Sequence, residues 1–152
     1  MAQFYSIDRA NARIGEVRDL LLLLRSQRAE LIRLRDEYVD LTGGSEATGE
    51  SGGSDGGPED VTSSGTTPTR LARARVVKLR IKAIVDQMGA SVARIDGWGI
   101  TLREIETGLI DFPALVNGRQ VWLCWRLGED EVEWWHELDT GLAGRQRLTD
   151  LH

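Results

Sequence analysis

Residues Gly108–Arg145, GLIDFPALVNGRQVWLCWRLGEDEVEWWHELDTGLAGR, decide how the chain folds. They hold four of the five tryptophans, the only cysteine, Cys124, and the only internal histidine, His136. Asn117-Gly118 stands between two apolar runs. Both residues tolerate positive φ, so the pair suits a two-residue type I′ hairpin turn. A turn there pairs Val116 with Arg119, Ala114 with Val121, Phe112 with Leu123 and Ile110 with Trp125. The Gly128–Glu131 corner reads as an even-length loop. That pairs Leu127 with Val132, Trp125 with Trp134, Leu123 with His136 and Val121 with Leu138. One face then collects the apolar side chains of all three strands together with His136. A slip of one residue would send half of them to the other face.

On this register the opposite face carries Leu109, Asp111, Trp122, Cys124, Arg126, Glu133, Trp135 and Glu137, with Arg126 opposite Glu133. A solvated face would give such an ion pair little weight. A covered face is the competing expectation, because large aromatics beside a few charges are what interface centres are made of.

Three segments carry a resemblance. FYSIDRAN (4–11), GLIDFPAL (108–115) and NGRQVWLCWRLGEDEVEWWHELDTGLAGRQ (117–146) are similar to an uncharacterised prokaryotic family, domain of unknown function 2203. The resemblance implies paired helices followed by this motif. It implies no established activity, cofactor or catalytic residue. Arg9 stands where the family's opening motif usually has an acid, which speaks against a capping box there.

The length of 152 residues suits one domain with a real core. No apolar run has membrane-spanning length, and no basic-then-apolar leader opens the chain. A lone cysteine forms no internal disulfide, so a cytoplasmic location is expected. The net charge is −5, which argues against a dedicated nucleic-acid binder.

In chain order, Ser6 is an N-cap with Asp8 in the first turn. Ala10, Ile14, Val17, Leu21, Leu24, Leu31, Leu34, Tyr38 and Leu41 then recur at helical steps, so 6–42 is one helix, roughly 50 Å long. Leu20–Leu24 is apolar through five successive residues and covers the helix all round. Such a level must be buried on more than one side, against the sheet or a second copy of the chain.

Residues 43–67 contain 17 Gly, Ser or Thr among 25 and five acids with no base; they read as a disordered linker. Thr67-Pro68 opens a second helix, 68–96, with Leu71, Ala74, Val77, Ile81, Ile84, Val85, Met88, Val92 and Ile95 at helical spacing. Its bases, among them Arg73, Arg75, Lys78, Arg80 and Lys82, flank both borders of the apolar stripe, as they do on a packed helix. Nucleic-acid binding is therefore not expected. Residues 98–138 form the sheet and 139–152 a C-terminal tail.

No glycine-rich phosphate loop, Cys-x-x-Cys or close histidine pair is present, so no cofactor, metal or catalytic residue is assigned. The chemistry-bearing candidates are His136, Glu137, Asp139 and Arg145. Strand alternation separates His136 from Glu137. A structural histidine is the favoured expectation, with an anion site at Arg145 or a metal site as alternatives. Cys124 reads as a small buried hydrophobe.

The expected fold is α+β, a long antiparallel helical hairpin packed on a small antiparallel sheet. The expected function is a non-catalytic interaction or assembly module, a homodimer with room for a protein partner and none for a membrane. The alternative is a small enzyme or an anion- or metal-binding protein with a site around His136, Arg145, Arg126, Asp111 and Glu137.

Overall fold

The computed structural model describes residues 3–43 and 67–150. Most of the expected 43–67 linker, and His152, lie outside the described residues. The fold is α+β. Helix α1 spans Ile7–Thr42 and helix α2 spans Thr67–Gly97. Strands β1 (Thr101–Glu104), β2 (Leu109–Val116), β3 (Arg119–Arg126), β4 (Trp134–His136) and β5 (Gln146–Arg147) follow. They form one antiparallel sheet in chain order. The residues expected to form only a tail thus add β5 to the sheet edge, between two short 3₁₀ turns. The chain divides into two compact units, 1–28 with 87–152 and 29–86.

In the first unit the start of α1 and the end of α2 pack on the sheet. The Ser6 hydroxyl accepts the Arg9 N–H at 3.1 Å, so Ser6 caps α1 without an acid at position 9. Ala10, Ile14, Val17, Leu21 and Leu24 form one buried stripe, at the three- and four-residue spacing of a helix face. It meets Ile95 of α2 and Ile110, Phe112, Ala114, Val121, Leu123, Trp125 and Trp135 of the sheet. Ahead of α1, the Tyr5 N–H donates to the Pro113 carbonyl at 2.7 Å, and its hydroxyl donates to the Trp98 carbonyl at 2.5 Å. The Tyr5 ring meets Phe112 edge-on, centroids 5.0 Å apart.

The β2–β3 hairpin turns at Asn117 (φ 53°) and Gly118 (φ 77°), the positive-φ pair that a type I′ turn demands. Its register runs Val116–Arg119, Ala114–Val121, Phe112–Leu123, Ile110–Trp125, as the turn dictates.

The next hairpin differs from the expectation by one residue. Leu123 pairs with Trp135, Trp122 with His136 and Cys124 with Trp134. Residues 125–133 between paired Cys124 and Trp134 are odd in number, in place of the expected even loop. The cause lies in how the corner is tied. The Glu129 N–H donates to the Arg126 carbonyl at 3.0 Å, and its carboxylate takes the Arg126 N–H at 2.7 Å. The Glu129 carbonyl takes the Trp125 indole N–H at 3.0 Å. Further on, the Asn11 side chain of α1 accepts the Val132 N–H at 2.7 Å. Held at both points, the chain enters β4 with Trp135 toward the core and His136 away from it. Trp134 and Leu138, expected in the core, are half-buried and exposed.

In the second unit the two helices pack against each other. Leu34, Ala74 and Val77 are buried there, and the Arg73 guanidinium meets the Glu37 carboxylate at 2.7 Å. Leu79 remains 68% exposed, and Val39, Leu71, Val76 and Val85 are also exposed.

Candidate functional site

The face of the sheet turned from the core carries the chemistry. Across antiparallel strands, directly paired residues share a face. Asp111 pairs with Cys124, Cys124 with Trp134, and Trp122 with His136. Neighbouring strands β2, β3 and β4 thus bring Asp111, Cys124 and His136 together. One donor atom from each lies within 4.8 Å of the others. All three are buried, at 2%, 1% and 2% exposure.

The hydrogen bonds orient the cluster. His136 Nδ1 lies 2.7 Å from the Glu137 carbonyl, which can only accept, so Nδ1 carries a hydrogen. Nε2 is thereby turned to Asp111 Oδ2, with which it makes a hydrogen bond at 3.0 Å. The Arg103 Nε–H of β1 donates to the same Oδ2 at 2.8 Å, and the Arg103 guanidinium lies 5.1 Å from the centre of the Trp122 ring. The other carboxylate oxygen, Asp111 Oδ1, is buried without a hydrogen-bond partner. A buried carboxylate oxygen left in that state is uncommon and asks for an explanation.

Burial pushes the Cys124 thiol up to about 11, the Asp111 charge adds to the rise, and Arg145 opposes it. Cys124 is therefore a neutral thiol near pH 7, and it is no ready nucleophile. Arg145 comes from the segment after β4. Gly144 sits so close to Thr140 that an added Cβ would fall 2.4 Å from its side chain. This tight turn returns Arg145 to the sheet, where it pairs with Glu129 at 2.6 Å and lies over Trp134 at 4.9 Å. Its Nε is buried and unpartnered.

The remaining candidates lie elsewhere. Trp135 belongs to the core. The Glu137 carboxylate pairs with Arg119 at 3.1 Å, and only its carbonyl reaches His136. Arg126, Glu133 and Asp139 are exposed; Arg126 and Glu133 do not pair, and the Glu133 carbonyl takes the Leu148 N–H at 2.9 Å. Trp122 flanks the cluster, half-buried. Arg103 and Glu129 were missed by sequence reasoning. Arg103 alternates with Thr101 on β1, a signal that could have placed it beside Asp111. Glu129 looked like an ordinary turn acid.

Residues 3–148 match the family described as Uncharacterized conserved protein (DUF2203), and the chain belongs to that family. No curated protein and no solved structure matches the chain. Fold and site together define an α+β protein with a buried Asp–Cys–His cluster. No described helix is long and apolar enough to cross a membrane.

Proposed function

We propose that the chain is a non-catalytic assembly module that works as a homodimer. One observation carries this. Of the apolar run Leu20–Leu24, the chain buries Leu21 and Leu24 fully, yet leaves Leu22 and Leu23 at 49% and 47% exposure. A second copy is the occupant that fits, since two such leucine pairs brought together would cover each other by symmetry. The lone buried Cys124 suits a reducing, cytoplasmic setting. Sedimentation at micromolar concentration should give twice the chain mass of 16.9 kDa. Leu22→Glu with Leu23→Glu keeps helix propensity and should yield a folded monomer. A monomeric parent overturns the proposal.

A second reading, a ligand-binding protein or small enzyme, is favoured by the contact between His136 and Asp111 and by the unpartnered Arg145 Nε nearby. Cys124 joins His136 and Asp111 in that cluster, while Arg126 is exposed at the end of β3 and the Glu137 carboxylate pairs with Arg119.

A further inference from the structure

We propose that Asp111, Cys124 and His136 bind a divalent transition metal of the zinc type through Oδ1, Sγ and Nε2. This deepens the second reading and is independent of dimerisation, because its test reads metal per chain and not mass.

The donor set is the first support. A thiolate, an imidazole and a carboxylate together suit a borderline-soft ion such as zinc or cobalt, and not calcium or magnesium, which take oxygen alone. The spacing is the second. Tetrahedral bonds of about 2.0–2.3 Å set ligand atoms roughly 3.3–3.8 Å apart. One ligand atom of each residue already lies within 4.8 Å of the others, on adjacent strands whose ladder fixes their backbones. Closing that gap takes side-chain rotation and no change of register.

The third support is the orientation of the ligands. Metal-binding histidines commonly donate their other ring N–H to a carbonyl or carboxylate, which fixes the ring and raises its basicity. His136 does this through Nδ1 and the Glu137 carbonyl, leaving Nε2 for the ion. Asp111 is held likewise. Arg103 anchors Oδ2 and leaves Oδ1 buried with nothing to bond. A cation at Oδ1 accounts for that orphaned oxygen.

The charges and protons balance. The ion replaces the thiol proton of Cys124 and the proton of the hydrogen bond between Nε2 and Oδ2, and both pass to solvent. A thiolate and a carboxylate then neutralise a doubly charged ion beside a neutral imidazole. The nearby cations do not forbid this, since Arg103 retains Asp111 Oδ2 and Arg145 is matched by Glu129. Three protein ligands leave a fourth position for water or an anion, and the unpartnered Arg145 Nε is the donor best placed to hold an anion there.

The experiment is titration of the metal-free full-length chain with cobalt(II), followed by absorption. The expected result is roughly one cobalt per chain, with the intense near-ultraviolet band of a thiolate–cobalt bond and the visible bands of a tetrahedral ion. Zinc should displace it. Cys124→Ser should abolish the sulfur band, and Asp111→Asn should weaken binding on the order of 10-fold or more. Arg126→Ala, outside the cluster, should bind as the parent does. The parent spectrum alone is decisive, so a variant that fails to fold leaves the test intact. No binding by the parent, or binding without the sulfur band, overturns the proposal and leaves a hydrogen-bonded cluster only.

Discussion

Leu123 faces Trp135 across β3 and β4, and not His136. This one pairing puts a tryptophan into the core and carries the histidine to the opposite face beside Asp111. The two side chains should therefore respond differently to truncation. Trp135→Ala removes a large buried ring and should cost about 3–5 kcal/mol in denaturant unfolding. A loss below 1 kcal/mol would place Trp135 outside the core.

His136→Ala should cost about 1–3 kcal/mol, because it leaves a cavity and strips Asp111 Oδ2 of one partner. The Arg103 bond to that oxygen remains and limits the damage. Urea melts of metal-free parent and variant measure the difference. An unchanged midpoint would mean that the histidine is not bonded in the folded chain.

Asn11→Ala should loosen the corner before β4. It removes the acceptor of the partly buried Val132 N–H, a loss of about 1–3 kcal/mol. Amide exchange should accelerate at Val132, with α1 unaffected. Unaltered protection at Val132 would show that another group fixes the corner.

Cys124 should make stability depend on pH in the alkaline range. Its thiol rises from the ordinary 9.0 to about 11 in the folded chain, first through burial and then through Asp111. The unfolded chain thus loses this proton before the folded chain does. The contribution is complete below about pH 9 and is lost as pH climbs toward about 11. Below pH 8 the metal-free protein should also resist alkylation. Cys124→Ala should flatten the part of the stability profile between those two values. Identical profiles for parent and variant would contradict the shift.

Much of the fold was legible in the sequence because its signals were local. Ser6 capped α1, the Ala10–Leu24 stripe had helical spacing, and Asn117-Gly118 set the β2–β3 register by turn geometry alone. The β3–β4 register was not legible, since the corner is tied through side chains, at Glu129 and at Asn11, which is 121 residues from Val132. Strand β5 was missed because its two residues, Gln146 and Arg147, carry no apolar alternation. The site shared that fate. Asp111 and Cys124 were correctly placed on one face by the first hairpin, while His136 was assigned to the other by the one-residue slip. Arg103 entered through β1, whose register with β2 shifts between Leu102 and Glu104.

The β4 register can be measured directly by nuclear Overhauser contacts across β3 and β4 in the labelled metal-free protein. The expected result is cross-strand backbone contacts for Leu123 with Trp135 and for Trp122 with His136, which put His136 on the face of Asp111 and Cys124. Contacts of Leu123 with His136 and of Trp125 with Trp134 would contradict it, and would return the histidine to the core.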